Sequence, residues 1–301
     1  MTARKTLCAA ALAGILLTTN AAAQGETDVK IETIPVADGI YMLIGRGGNL
    51  GVCAGDEGVL LIDDQYAPLA PKIRDAVAAI EDQPIKMVLN THWHGDHTGG
   101  NEPLARTGSL IVAHDNVRVR MSSKHFSKFF NSTREPSPRE ALPVVTFDSQ
   151  VTFHVNGHTV RAEHVPPAHT DGDSIVFFEE ANVVHMGDTF FNGLYPFVDG
   201  DSGGSVIGMV AAVEGVLARI DDETKVIPGH GPLSDRAGLA EFAGMLRTVA
   251  GRIGQRIEAG DSLDAVVAAK PTAEYDERWG QGFIKPDDWV GLVYDVMSMN
   301  R

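Results

Sequence analysis

The sequence predicts an α/β protein in which two β-sheets face one another and helices cover their outer faces. Three observations support this fold class. Each half of the 301-residue chain contains several short strand-like runs, each half also carries a helix-like segment, and the last part is mainly helical. A sheet with an apolar face must bury that face against another layer, and two helix-covered sheets can do so by packing together.

The first half begins with an antiparallel meander of four short strands separated by turns. The predicted strands are 29–34, 39–44, 49–54 and 59–62. Ile73, Val77 and Ile80 then recur at helical spacing within 68–80, where two prolines stand near the start, as is typical of a helix N-terminus. An apolar run over 86–90 predicts a buried strand after this helix.

The same order of strands and helix recurs in the second half. The predicted strands are 151–155, 159–165, 174–178, 183–186 and 225–227, and the predicted helix lies near 205–220. From residue 234 onward the pattern is mainly helical, and we expect Trp279 and Trp289 to pack these helices onto the protein body. Between the halves, three prolines and many polar residues over 121–143 predict a surface loop or lid.

The first 23 residues have the features of a secretory signal peptide. Two basic residues precede an apolar stretch over 7–17, and three alanines provide a small-residue cleavage site. We therefore predict a leader over 1–23, cleavage near Ala23, and a mature domain over 24–301 that is periplasmic or secreted. The apolar stretch is too short to cross a bilayer as a helix, and no later run approaches that length, so no membrane span is predicted.

Charge and cysteine content narrow the possible partners. The chain has 40 Asp and Glu against 25 Lys and Arg, for a formal net charge of −15. Such a balance repels phosphate backbones, so we expect a small-molecule substrate and no nucleic acid. Cys53 is the only cysteine outside the predicted leader, which excludes a disulfide within the mature chain. The oligomeric state stays open.

The first candidate metal ligands follow directly after the predicted strand over 86–90. Three histidines and an aspartate fall within six residues there, in the run His92-Trp93-His94-Gly95-Asp96-His97. Imidazole and carboxylate groups are ligands for zinc and similar metals. Alternation places His92 and His94 on one side of an extended segment, while Asp96 and His97 lie beyond a bend at Gly95. This arrangement predicts two adjacent metal sites.

Three more candidate ligands lie in turns that directly follow predicted strands. They are His169, Asp188 and His230, and each is flanked by glycine or proline. Such residues build the rigid turns that present a side chain at the edge of a sheet. We therefore expect these three groups to face the same cleft as the histidine cluster.

Together these motifs resemble the metallo-β-lactamase superfamily, whose His-x-His-x-Asp-His signature stands here at 92–97. The resemblance implies a four-layer αββα sandwich. It implies two zinc ions, with ligands divided as follows: His92, His94 and His169 for one, Asp96, His97 and His230 for the other, and Asp188 bridging them. Asp63 matches the family's first acidic motif and is expected to support the metal loop rather than bind metal.

The resemblance also implies hydrolysis by a metal-bound hydroxide. Asp96 is expected to act in catalysis by orienting the attacking water and carrying its proton. Asn192 and Tyr195 follow the predicted bridging aspartate closely in sequence, and we interpret them as candidate substrate-binding residues.

The sequence predicts the type of reaction more closely than the substrate, because a fold and a metal site do not determine which substrate binds. Aspartate at position 188 differs from the β-lactamase branches, which carry cysteine or no metal ligand there. Export disfavours glutathione thioesters, and the acidic charge disfavours nucleases. We therefore predict an exported dinuclear zinc hydrolase of small cyclic esters or amides, of lactone or β-lactam type. The alternatives are a phosphodiesterase, a thioesterase, or a non-catalytic or redox metal-binding accessory protein.

Overall fold

The computed structural model describes residues 29–299, and two β-sheets form its centre. The predicted signal peptide over 1–23 lies outside the described residues. Nine strands precede residue 148; they are β1 (Glu32–Ala37), β2 (Ile40–Ile44), β3 (Leu50–Cys53), β4 (Val59–Ile62), β5 (Ile85–Asn90), β6 (Leu110–His114), β7 (His125–Ser127), β8 (Ser132–Arg134) and β9 (Val145–Phe147). Six follow; they are β10 (Gln150–Val155), β11 (His158–His164), β12 (Ser174–Phe178), β13 (Val183–His185), β14 (Lys225–Ile227) and β15 (Ser234–Asp235).

The sheet order follows the two halves of the chain. The first sheet runs β1-β2-β3-β4-β5-β6-β9, and the second runs β10-β11-β12-β13-β14-β15. Strands β1 to β4 form the predicted antiparallel meander, whereas β4, β5, β6 and β9 pair in parallel. In the second sheet β13 and β14 are also parallel. Parallel neighbours end at the same edge of a sheet, so the loops after them come together.

Helices cover the outer face of each sheet, and shorter helical segments lie in the connections. The helices are α1 (Ala70–Ile80), α2 (Gly95–Thr98), α3 (Asn101–Ala105), α4 (Asp115–Met121), α5 (Val206–Leu217), α6 (Arg236–Glu258), α7 (Leu263–Ala268), α8 (Asp276–Trp279) and α9 (Pro286–Met299). Within residues 29–299, no helix is long and apolar enough to span a membrane.

Three apolar clusters hold these layers together. Ile73 and Val77 of α1 pack against the outer face of the first sheet. Ile62 and Phe178 belong to a middle cluster that draws residues from both sheets. A third and larger cluster joins the second sheet to α5, α6 and α9. Burying apolar surface at three interfaces is what a four-layer sandwich requires, so the predicted αββα fold is confirmed.

The two tryptophans of the C-terminal helices lie in the third cluster, as predicted. Trp279 is 1% exposed and Trp289 is fully buried. Trp289 donates its indole N–H to the Pro196 carbonyl over 2.8 Å, which satisfies the one polar group that a buried tryptophan carries.

Between the halves, the structure differs from the predicted continuous loop. The sequence interpretation missed β6, α4 and β9, and the 121–143 stretch contains the short antiparallel hairpin formed by β7 and β8. Strand β6 passes directly into α4 at His114, whose ring nitrogen Nδ1 accepts the Asn116 backbone N–H as an N-cap. No glycine or proline stands at that boundary, so the sequence contains no turn signal there.

Candidate metal centre

The seven candidate ligands meet at one edge of the two sheets. Residues 91–97 follow β5 of the first sheet. His169 lies between β11 and β12, and Asp188 and His230 follow the parallel strands β13 and β14. The sheets face one another, so these loops from separate halves of the chain converge on one point.

The ligand atoms form two adjoining groups. One contains His92, His94, His169 and Asp188, and the other contains Asp96, His97 and His230, with the atoms of each group within 4.8 Å of one another. In the first group, His94 Nδ1 lies 2.8 Å from His169 Nε2. In the second, His97 Nε2 lies 3.4 Å from His230 Nε2. Short separations between facing ring nitrogens are expected where the nitrogens share a cation.

Asp188 lies between the two groups. Its Oδ2 atom is 3.5 Å from His169 Nε2 of the first group and 3.4 Å from His230 Nε2 of the second. Its Oδ1 atom is 3.1 Å from His97 Nε2. The carboxylate is 5% exposed, so it lies in an environment where an unpaired charge is costly. A single buried carboxylate that faces imidazoles of both groups has the position needed to bridge two cations.

A further observation indicates that the residues of the first group could hold a metal ion. His92 is buried, and its Nε2 atom has no hydrogen-bond partner among residues 29–299. A buried ring nitrogen without a partner is unusual in proteins. A cation in the first group would satisfy this nitrogen, and nitrogen with carboxylate oxygen is a ligand combination that zinc accepts.

Hydrogen bonds outside the cluster hold the rings in place. His97 Nδ1–H donates to Asp63 Oδ2 over 2.8 Å, and His169 Nδ1–H donates to the Phe197 carbonyl over 2.7 Å. Asp63 also accepts the backbone N–H of Thr91 over 2.7 Å and its hydroxyl over 2.8 Å. Such bonds fix the orientation of each ring, so its other nitrogen points at the cluster, where it could bind a metal.

Asp199 is a functional residue that sequence reasoning missed. Its Oδ2 atom accepts His94 Nε2–H over 2.8 Å and the Ser202 hydroxyl over 2.7 Å. The surrounding stretch 200–204 has the spacing Gly-x-Ser-x-Gly, which is typical of serine nucleophiles. Here Ser202 is fully buried and lies in a 3₁₀ turn, so its hydroxyl orients Asp199 rather than facing a substrate.

The two groups differ in the protons they hold. Burial lowers the pKa of His92 well below its usual range and that of His169 to about 4. Burial opposes protonation of His97 and His230 as well, but Asp188 and Asp96 outweigh it, raising the pKa of His97 well above its usual range and that of His230 to about 9. At neutral pH, protons therefore occupy the second group and not these two histidines of the first.

This difference predicts that the two sites respond differently to pH. Metal entering the second group must displace protons from both His97 and His230, so its affinity should rise steeply as the pH rises toward about 9. We expect a shallower rise at the first group, because burial already keeps His92 and His169 neutral. Stepwise zinc titration followed by calorimetry at several pH values measures both constants. Equal pH slopes at the two sites would contradict the proton assignment.

A cavity of about 520 Å³ opens onto the cluster. Five candidate ligands line it, namely His94, Asp96, His169, Asp188 and His230. The other walls carry two arginines and a set of apolar side chains; these residues are Arg46, Arg134, Trp93, Phe130, Phe191, Leu194, Phe197 and Phe283. His92 and His97 lie behind the cavity, almost fully buried. Cations held by the two groups would thus be accessible to a small molecule from one side.

Asn192 and Tyr195, the predicted substrate-binding residues, are not among the residues that line this cavity. Asn192 donates its side-chain amide to the Pro232 carbonyl over 2.9 Å. Tyr195 is 1% exposed, stacks on Trp289 at 4.2 Å between ring centroids, and donates its hydroxyl to Asp276 over 2.8 Å. Its large apolar ring is used to pack the C-terminal helices.

Replacing Tyr195 by phenylalanine tests this structural role. The ring and its stacking are retained, and the hydrogen bond to Asp276 is lost. We expect the free energy of unfolding to fall by about 1 kcal/mol, with kcat/KM unchanged. Denaturant unfolding and steady-state kinetics on the same preparation measure both. A large loss of activity without loss of stability would restore a role for Tyr195 at the site.

Replacing Asp63 by asparagine is expected to weaken metal binding about 10- to 100-fold. Asparagine tolerates the left-handed backbone of this position, where φ is 61°, but its amide carries no charge to hold His97. Asp64→Asn is the matched control, because the Asp64 carboxyl is equally buried but accepts the Gly100 backbone N–H instead of the His97 ring N–H. Competition with a coloured chelator measures the affinities; equal affinities for the two variants would exclude the orienting role of Asp63.

The chain resembles several known proteins in sequence. The sequence profile of the metallo-beta-lactamase superfamily matches residues 43–236. The lactamase-like protein aptB of Emericella nidulans is 30% identical over 184 residues, which are 56% of this chain and 52% of that protein. A hydroxyacylglutathione hydrolase of Polaromonas sp. is 31% identical over 186 residues, 62% of each chain. An atrochrysone carboxyl ACP thioesterase of Aspergillus terreus is 31% identical over 146 residues, 48% of this chain and 38% of that protein. The chain thus spans less than two-thirds of the length of these relatives.

Solved structures show the same fold. A metallo-beta-lactamase from Pontibacter korlensis superposes with a TM-score of 0.59 at 20% sequence identity, covering 72% of this chain and 99% of that chain. The DIM-1 metallo-beta-lactamase gives a TM-score of 0.58 at 18% identity, covering 73% and 99%. Since the sequence profile covers well over half of the chain, the chain belongs to the metallo-beta-lactamase superfamily, a family of metal-dependent hydrolases.

Proposed function

We propose that this protein is an exported hydrolase that holds two zinc ions and cleaves small cyclic esters or amides, with esters favoured. The observation that carries the proposal is the position of Asp188, whose buried carboxylate faces imidazoles of both ligand groups at the floor of the cavity. The first zinc would be held by His92, His94 and His169 and the second by Asp96, His97 and His230, with Asp188 between them.

Zinc bound there would act as a Lewis acid and lower the pKa of water toward 7. The chain's own residues supply position and charge. Asp96 lines the cavity at 24% exposure. Burial alone would raise its pKa, but the neighbouring His97 and His230 outweigh this effect and lower it, so the carboxylate stays ionised. An ionised carboxylate at the cavity wall can accept a hydrogen bond from the attacking water, orient it and take up its proton.

The preference for esters rests on Asp188. A carboxylate between the ions lowers their net positive charge and so their ability to stabilise an amide nitrogen as it leaves. An alkoxide leaves an ester more readily without that help. The acidic surface of the chain and the predicted leader support an exported enzyme of small molecules, and the N-terminus of the cell-derived protein tests export directly.

A thioesterase is the second candidate function. It is favoured by two relatives, a hydroxyacylglutathione hydrolase and an ACP thioesterase, each 31% identical to this chain over the matched residues. A thiolate is an even better leaving group than an alkoxide, so the chemistry argued above for esters extends to thioesters.

A hydrolysis panel with metal analysis tests the proposal. Purified protein should contain close to two zinc ions per chain and cleave lactones or aryl esters at pH 7 with kcat/KM at least comparable to that for β-lactams. Activity should vanish with a chelator and return with zinc. Efficient β-lactam hydrolysis without ester, thioester or lactone cleavage would reject the ordering. Full zinc loading without turnover of any member would favour the accessory-protein alternative.

A further inference from the structure

The mouth of the cavity carries two phenylalanines that the catalytic chemistry does not use. Phe130 stands at the tip of the β7–β8 hairpin and is 53% exposed, and Phe283 stands in the loop before α9 and is 61% exposed. Both line the cavity, although they come from segments about 150 residues apart in sequence. Large exposed apolar side chains that converge on one cavity are typical of a binding site rather than of an ordinary surface.

The hairpin that carries Phe130 is fixed at both ends. At its base, Arg134 donates to the Trp93 carbonyl over 3.1 Å and its guanidinium lies 5.1 Å from the centroid of the Trp93 ring. Near its tip, the Lys128 backbone N–H donates to Asp201 over 2.7 Å, and the Lys128 ammonium lies 3.4 Å from Asp295. These contacts hold Phe130 in position before any ligand arrives, which reduces the entropic cost of binding.

An apolar surface connects the mouth to the candidate metal ligands. The ring of Phe130 lies 5.1 Å from that of Phe197, and Phe197 lies 5.8 Å from the His94 ring. On the other wall, Phe191 stacks on His230 at 5.0 Å, and Leu194 lines the cavity beside Phe283. A substrate whose reacting carbonyl lies at the ligand cluster would therefore place any attached group along these side chains.

We propose that Phe130 and Phe283 bind an apolar chain of the substrate, so that the preferred substrates are lactones, esters or thioesters that carry an apolar chain of medium length rather than acetyl or other short esters. This assignment rests on the proposed function and names the substrate class of the same site. Without the apolar group, both rings stay in contact with water. With it, their exposed faces are buried together with the chain, which favours binding in proportion to the apolar area removed from water.

A series of p-nitrophenyl esters tests the proposal on the zinc-loaded full chain. For the wild type, we expect kcat/KM for the octanoate to exceed that for the acetate by at least about tenfold. Phe130→Ala and Phe283→Ala should each lower this ratio by about fivefold or more, because octanoate turnover falls much further than acetate turnover. Phe126→Ala is the matched control, because Phe126 is 54% exposed on the same hairpin but does not line the cavity; its ratio should equal that of the wild type. Equal losses for acetate and octanoate, or the same effect from Phe126→Ala, would overturn the assignment.

Product binding separates this inference from the proposed function. Calorimetry with octanoate and with acetate compares two carboxylates that differ only in chain length, and it needs no turnover. Tighter binding of octanoate that is lost in Phe130→Ala and Phe283→Ala supports the apolar site even if no ester in the panel is cleaved. Equal affinity for the two carboxylates would refute it, whatever the enzyme hydrolyses.

Discussion

Asp188→Ala is expected to disturb both metal ions at once and to lower kcat/KM by well over 100-fold. Changes to groups that merely orient metal ligands cost about 10- to 100-fold, and Asp188 faces both ligand groups directly, with Oδ2 3.5 Å from His169 Nε2 and 3.4 Å from His230 Nε2. Removing the carboxylate takes a negative ligand from each site. Metal analysis after dialysis should show less than one zinc ion per chain, and kinetics in excess zinc should show little recovery.

Asp188→Cys is the informative companion to this variant. Cysteine supplies a thiolate that zinc accepts, so we expect it to retain metal and to shift the relative rates for esters and β-lactams. Circular dichroism checks that each variant is folded. Equal metal content and equal rates for the wild type and Asp188→Ala would refute the bridging position.

His169→Ala is expected to abolish activity by emptying one site and leaving the other. His169 belongs to the first ligand group, and its removal leaves Asp96, His97 and His230 in place. We therefore expect about one zinc ion per chain to remain, with kcat/KM reduced by more than about 100-fold because the proposed mechanism uses both ions.

His164→Ala is the matched control for that experiment. His164 lies at the end of the strand that leads to His169, but its ring stacks on His114 at 3.6 Å between centroids and belongs to neither ligand group. Two zinc ions and near-normal rates are expected. A fully active His169→Ala protein, or loss of one metal in His164→Ala, would reject the division of ligands.

The fold was largely predictable because its strands are apolar runs closed by turn residues. Strands β4, β12 and β14 match the predicted bounds. What escaped prediction depends on distant contacts. The β7–β8 hairpin has only three residues in each strand, and contacts with Trp93, Asp201 and Asp295 hold it in place. No local sequence pattern therefore predicts it.

The candidate site was predictable to the same extent and for the same reason. The ligands within 92–97 stand in one short motif, and turn residues mark the three others. Asp199 lies 105 residues from its partner His94, and nothing near it in sequence indicates that contact. Tyr195 is the opposite case. It lies close to Asp188 in sequence, but its hydroxyl contacts Asp276, 81 residues away.

The division of the sheets between the two halves of the chain has a practical consequence. The first sheet ends with β9 at Phe147 and the second begins with β10 at Gln150. Each ligand group nevertheless takes members from both halves. A chain cut between these strands would give two fragments that the apolar cluster between the sheets can bring together, and zinc at 100 times its dissociation constant would favour the joined state by about a further 2.7 kcal/mol. Fused to the halves of a luminescent reporter, such fragments should give a stronger signal in the presence of zinc, and a chelator should lower it.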